Sequence, residues 1–251
     1  MTRGLQFQSS YTWSKVMDET QAQQVTENTG SSSFSSDPVH RSVDRALSSF
    51  DLTHNLRFNA IYLLPELASS GRRLTKLLNG WWASSILSVQ SGYPFSPVIQ
   101  ASRTRSGING GRTGIDRPNL VPGRNNDNII LGGPDRYFDA GAFTLQPFGF
   151  LGTAGRNILR GPGFATLDFS LAKDTPLGFL GEGGKVEFRA ECFNILNRAN
   201  FVTPGIGIGG NSAAIVFAGH NDAEAPLSTV GRITSTASTA RQIQFAVKIL
   251  F

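Results

Sequence analysis

Six stretches of the chain alternate apolar and polar residues, the period-2 pattern of a β-sheet with two unlike faces. From Gly4 to Ser14 the odd positions Leu5, Phe7, Ser9, Tyr11 and Trp13 oppose Gln6, Gln8, Ser10, Thr12 and Ser14. From Asp51 to Leu64, Leu52, Leu56, Phe58, Ala60, Tyr62 and Leu64 oppose Thr53, Asn55, Arg57 and Asn59, with His54 and Ile61 out of pattern. A less regular stretch opens at Trp81, where Ala83, Leu87 and Val89 face away from Ser84, Ser88 and Gln90. Leu167, Phe169 and Leu171 then alternate with Thr166, Asp168 and Ser170, and Val186, Phe188, Ala190 and Cys192 with Lys185, Glu187, Arg189 and Glu191. The last stretch sets Ile243, Phe245, Val247, Ile249 and Phe251 against Gln242, Gln244, Ala246 and Lys248. Strands are therefore predicted near 4–14, 51–64, 81–95, 164–173, 185–194 and 241–251, joined by long loops at 15–50, 96–163 and 195–240.

The charges assign the faces. Arg57, Asp168, Glu187, Arg189, Glu191 and Lys248 all fall on the polar parity, so that face is expected to be wet. Lys173 and Arg241 break the rule at strand ends, where a long side chain reaches a polar boundary. Strands of about 10 to 14 residues exceed the usual ~5 to 6 of globular sheets and match the ~9 to 11 that cross a bilayer at a tilt. Long and short connections alternate, as in transmembrane barrels with long loops at one end and turns at the other. Tyr11, Trp13, Tyr93 and Phe95 near one set of strand ends, and Tyr62, Trp81 and Trp82 near the other, form two expected aromatic belts.

Composition narrows the class. Only 16% of the 251 residues are charged, against about 25% in soluble domains. The 18 Phe, 4 Tyr and 3 Trp exclude a disordered chain. Cys192 has no partner for a disulfide, and no apolar run is long enough for a membrane helix. No apolar signal segment follows Met1, so either the chain is cytoplasmic or this Met is not its natural beginning. The net charge of +5 raises nucleic acid as a partner, but most of it lies in one irregular segment. Between Ser96 and Phe164, Arg103, Arg105, Arg112, Arg117, Arg124, Arg136, Arg156 and Arg160 outnumber Asp116, Asp127, Asp135 and Asp139. This segment reads as a solvated loop first and an anion-attracting surface second, and no nucleic-acid partner is expected.

Four stretches carry a family resemblance: Gly92-Tyr-Pro-Phe95; Gly155-Arg-Asn-Ile-Leu-Arg-Gly-Pro-Gly163 leading into Leu167-Asp-Phe-Ser-Leu-Ala-Lys173; Arg189-Ala-Glu-Cys-Phe-Asn-Ile-Leu-Asn-Arg-Ala-Asn-Phe201; and the C-terminal strand. Together they resemble the end of TonB-dependent outer-membrane receptors of the Oar-like group. The resemblance implies a 22-stranded barrel in the outer membrane of a Gram-negative-type bacterium, filled by a plug and driven by the TonB complex to take up large scarce solutes. It also implies that Ile243, Phe245, Val247, Ile249 and Phe251 are the signal for the outer-membrane assembly machinery. The expected fold is all-β, an antiparallel transmembrane β-barrel fragment, curved and open if alone, with lipid on one side. The chain is expected to be the C-terminal part of the barrel without a plug domain, reaching the plug and TonB complex only through a missing N-terminal part. Arg57, Asp168, Glu187, Arg189, Glu191 and Lys248 are candidates to face the lumen or plug. Arg103, Arg105, Arg112 and Arg117 are candidate solute contacts.

Other chemistry is weaker. Gly205-Ile-Gly-Ile-Gly-Gly210 matches a dinucleotide fingerprint, but no helix pattern follows it. His40, His54 and His220 lack zinc spacing. Asp18, Glu19, Glu27, Asp37 and Asp44 match no calcium loop and read as solvated. No catalytic residue, cofactor or metal is expected, and an enzyme is the weakest reading. The alternative of another class is a secreted or surface β-sandwich used for binding or adhesion, since a sandwich also alternates.

Overall fold

The computed structural model describes residues 4–19, 35–66, 77–106, 116–181, 183–205 and 212–251. Arg112, Glu27 and most of the Gly205–Gly210 run lie outside them. The six alternating stretches form strands β1 (Leu5–Trp13), β2 (His54–Leu63), β3 (Trp81–Gln90), β4 (Phe164–Pro176), β5 (Lys185–Phe193) and β6 (Gln242–Leu250). They build one antiparallel sheet whose spatial order is the chain order, with β1 and β6 as its edges. The long strands thus share one sheet and do not face each other across a sandwich. No helix among the described residues is long and apolar enough to cross a membrane.

Register carries the alternation across the sheet, because a side chain shares its face with its directly paired neighbour. One outer row runs Leu5, Tyr62, Ala83, Leu171, Ala190 and Phe245; the inner row one residue along β4 runs through Ser170, Ser84, Ile61 and Gln6 on one side and Glu191 and Gln244 on the other. Ile61 remains an apolar residue on the polar side. Trp82 also falls on that side, and its ring lies 5.5 Å from the Arg189 guanidinium. Trp82 is therefore no part of an outer belt.

Strand direction puts the three long connections, 14–53, 91–163 and 194–241, at one end of the sheet and the two short ones, 64–80 and 177–184, at the other. The Ser96–Phe164 segment was expected to be a solvated loop. Instead the second and third connections hold the hydrophobic core: Phe95, Ile99, Ile129, Phe138, Phe143, Leu159, Val216 and Phe217 are all buried. Phe95, expected in a belt, is completely enclosed there. Backbone pairing ties the second and third connections, since Val98–Ile99 runs parallel to Ile215–Phe217 and Tyr137 donates its N–H to the Gly231 carbonyl at 2.8 Å. We call this body the cap.

Two of the motifs quoted above meet where cap and sheet join. Pro94–Phe95 pairs antiparallel with Leu159–Arg160, the Gly161 N–H reaches the Tyr93 carbonyl at 2.9 Å, and an Arg160 guanidinium nitrogen reaches the Gly92 carbonyl at 2.8 Å. The backbones cross so closely that a Cβ on Gly92 would stand 1.9 Å from the Gly161 oxygen. Only glycine permits that approach. The third motif closes the tops of β4 to β6: Asn194 donates its N–H to Asp168 (2.8 Å), Asn200 accepts from the Ala165 N–H (2.9 Å), and Asn197 accepts from the Arg241 N–H (3.0 Å). Asn194 and Asn197 adopt φ of 50° and 49°, left-handed values that asparagine tolerates better than most residues.

Candidate functional site

The polar face of the sheet gathers the charged residues selected by parity. Arg57 donates to Gln90 Oε1 at 2.9 Å, and Asn59 to Gln8 at 3.3 Å. Toward the short-turn end, Arg189 lies between Glu187 at 2.6 Å and Glu191 at 3.6 Å, and Lys248 stands directly opposite Glu187 in the neighbouring strand. Lys185 pairs with Asp174 at 2.5 Å. Asp168 faces the other way in function: its carboxylate accepts from Thr166 and from the Asn194 N–H, so it fixes the top of the wall. Asn55 Oδ1, Ser170 Oγ, Asp174 Oδ1 and Arg189 Nε are enclosed on this face without a protein partner. Buried polar atoms usually have partners, so this side is shaped for water or another polar surface.

The cap uses its arginines differently from the solvated loop expected. Arg117 pairs with Asp44 at 2.8 Å, Arg156 with Asp18, and Arg160 with Asp51 at 2.9 Å. Each pair joins the second long connection to the first, so Asp18 and Asp44 are structural partners and not a solvated cluster. Arg103, 1% exposed, donates to the carbonyls of Gln146 (2.9 Å), Gly219 (3.2 Å) and Asn221 (2.6 Å), and its guanidinium lies 3.9 Å from the Phe148 ring centre. It ties the second connection to the third. Arg103 and Arg117 are thereby turned away from any solute, whereas Arg105 stays exposed, 4.8 Å from the same ring.

Burial raises the pKa of Asp44, but Arg117 and hydrogen bonds from Ser35 and Ser36 outweigh it and hold the carboxyl below its ordinary range. Asp51 behaves alike: burial works against its charge, and Arg160, the Val16 N–H and the Thr53 hydroxyl more than offset it. At Asp139 burial is again outweighed, by the Gly141 N–H and by Arg136 and Arg124. Burial alone pushes the Tyr137 hydroxyl up to about 12, and that hydroxyl donates to the Arg160 carbonyl at 3.0 Å. Among the described residues no group of three or more His, Cys, Asp or Glu is arranged to hold a metal ion. His54, out of pattern in the sequence, hydrogen-bonds the Tyr11 hydroxyl at 2.8 Å on the outer face.

The outer face decides the setting. Phe7 is 65% exposed and Phe245 70%, with Leu5, Tyr11, Val247 and Ile249 exposed beside them, while Ala172 is the only buried apolar residue of the six strands. A sheet that leaves its apolar face uncovered and gathers its charges on the other is built for a lipid surround. The family model described as an outer membrane beta barrel domain matches residues 1–244. The chain belongs to this outer-membrane β-barrel family. Its place is the outer membrane, and the apolar face is the lipid-facing wall. No curated protein and no solved structure matches the chain.

What the sequence did not disclose is the cap. Its signal was the apolar content of the connections, Val98-Ile99, Ile129-Ile-Leu131 and Ala213-Ala-Ile-Val-Phe217, which a solvated loop has no use for.

Proposed function

We propose that this barrel wall belongs to a TonB-dependent receptor of the Oar-like group that takes up a large scarce solute. The observation that carries the reading is the cap: three long connections at one end of the wall, the second and third packed round a core and the first cross-tied to the second by arginine–aspartate pairs. A preformed surface of that size suits capture of a large ligand, because little ordering entropy is spent on binding. The four motif stretches add to it, since they fall at the junction of cap and wall and along the last strands.

In this reading the cap faces outward and the short turns face the periplasm. Arg57, Glu187, Arg189, Glu191 and Lys248 line the lumen and contact the plug, and the unpartnered polar atoms beside them meet that plug or water. Arg105 remains as a solute contact; Arg103 and Arg117 hold the cap. Ile243, Phe245, Val247, Ile249 and Phe251 serve the assembly machinery, and the chain carries no catalytic step. The test is growth competition between parent and gene-deletion strains, in media each limited for one large nutrient, repeated without TonB. The expected result is a defect in one medium that loss of TonB reproduces and does not deepen. A defect independent of TonB, or none in any medium, overturns the proposal.

A further inference from the structure

One turn of the cap holds its apolar residues outward. The Phe150 N–H reaches the Pro147 carbonyl at 3.3 Å, and Gly149 takes the left-handed third position of the turn at a φ of 81°. Phe150 is 65% exposed, and Leu151 after it is exposed as well. Half-buried Phe148 carries two guanidinium groups over its ring, that of buried Arg103 at 3.9 Å from the centre and that of exposed Arg105 at 4.8 Å. Phe148 and Phe150 are two residues apart, so their Cα atoms lie within about 7 Å of each other. The Gly149 N–H donates to the Arg103 carbonyl at 2.9 Å, which fixes the turn to the segment that bears both arginines.

That segment is itself held. Thr104 donates its N–H to Asp116 Oδ2 at 2.7 Å and its hydroxyl to Asp116 Oδ1 at 3.0 Å, and Arg105 follows at a φ of 53°, uncommon for a residue other than glycine. Asp116 is buried and engaged by these bonds, and Asp222 lies 3.4 Å from Arg103. Arg105 pairs with no carboxylate among the described residues.

We propose, resting on the uptake reading above, that the cargo binds this turn through a carboxylate next to an apolar group, with Arg105 taking the carboxylate and Phe150 the apolar group. A guanidinium fork matches both oxygens of a carboxylate at once, and lying over a ring leaves its N–H edge free to do so. The exposed ring two residues from Phe148 gains when water leaves it, which an inorganic anion or a sugar does not exploit. Both contacts are preset by the turn and by Thr104, so little ordering is spent on binding. An acidic peptide and a free hydrophobic acid share this chemistry.

The test is equilibrium dialysis of the full chain in lipid nanodiscs, with empty nanodiscs as the blank, against a blocked Phe-Asp-Phe peptide, its Phe-Asn-Phe twin and free phenylpropionate. The acidic peptide or the free acid is expected to bind, and the tighter of the two identifies the source of the carboxylate. The neutral twin is expected to bind at least about tenfold more weakly than the acidic peptide, and R105Q to lose the same factor for whichever acid binds. F150S is expected to lose about as much through its apolar contact, whereas R232Q, which removes another exposed cation of the cap, leaves binding unchanged. Hydrogen exchange at Gly219, whose carbonyl Arg103 holds, checks that the cap is intact in all three variants. Binding of neither acid, equal binding of the neutral twin, unchanged binding in R105Q or F150S, or an equal loss in R232Q overturns the proposal. The purified chain binds or fails to bind without TonB, so each of these outcomes is separate from a failure of the growth test.

Discussion

Arg103 shows how residue type and position diverge. Its charge in a Gly- and Asn-rich segment suggests a solvated side chain, yet the guanidinium fork is buried and donates to three backbone carbonyls of the cap, those of Gln146 and Gly219 in buried surroundings. Its salt bridge to Asp222, at 3.4 Å to a well exposed partner, adds little beside those bonds. Arg103→Ala leaves several acceptors unsatisfied at about 1 to 3 kcal/mol each, and Arg103→Lys recovers only part, since an ammonium cannot span the same fork. Arg105→Ala removes an exposed partner of the same Phe148 ring and is expected to change stability by no more than about 0.5 kcal/mol. Hydrogen exchange at Gly219 and Val216 measures the difference. Equal protection in Arg103→Ala and Arg105→Ala would show that Arg103 is not a tie. Gly219 adds a second constraint at this point: its φ of +82° and the 2.4 Å approach of Ile99 Cγ2 to a Cβ there leave no room for a side chain.

At the scale of the element, each wall strand is legible because its environment is periodic. Lipid lies on one side and polar groups on the other, so selection acts on every second residue and the sequence displays it. The prediction belongs to β6. Phe245→Arg places a charge near the middle of the lipid-facing side and is expected to cost about 2 to 4 kcal/mol, while Gln244→Arg, on the polar face opposite Glu191, is nearly neutral. Folding of the full chain into lipid vesicles, followed through denaturant midpoints, separates the two. Equal costs would reverse or abolish the assignment of faces. The connections were not legible for the complementary reason. Ile99, Ile129 and Phe217 are buried in one cluster built by segments far apart in sequence, so no period marks them. The pairing of Arg160 with Asp51, and of Arg156 with Asp18, spans more than a hundred residues and has no local signature. Glycine and asparagine were the readable exceptions, since a left-handed φ or a close backbone crossing restricts residue type whatever the partner.

The whole molecule combines two bodies with different sources of stability. The wall is a backbone ladder from β1 to β6 whose apolar side has no protein cover, so lipid is part of its fold. The cap has its own hydrophobic core, but its attachment to the first long connection passes largely through Asp18, Asp44 and Asp51 and their arginines. Acid therefore acts on one body before the other. Asp44, Asp51 and Asp139 have folded-state pKa values below the ordinary ~3.9 of aspartate, so their stabilisation is fully present above that value and disappears as pH falls through the folded ones. The cap is expected to hold its amide protection from neutral pH down to about 4 and to lose it below, while the wall keeps its own in lipid. Asp51→Asn tests the same coupling at neutral pH. Removing the charge leaves Arg160 facing a neutral amide where it met a fully buried carboxylate, a change that costs about 3 to 5 kcal/mol in well-buried pairs and somewhat less here because Arg160 is partly exposed. The variant should lose cap protection at pH 7 and show a shallower acid transition, with β4 and β5 unaffected. Hydrogen exchange at Ile99 and Phe217, read against Leu171 and Ala190, distinguishes this from general unfolding. Parallel loss at all four sites would mean that the cap and the wall are one cooperative unit, and that the arginine–aspartate pairs stabilise the barrel as a whole.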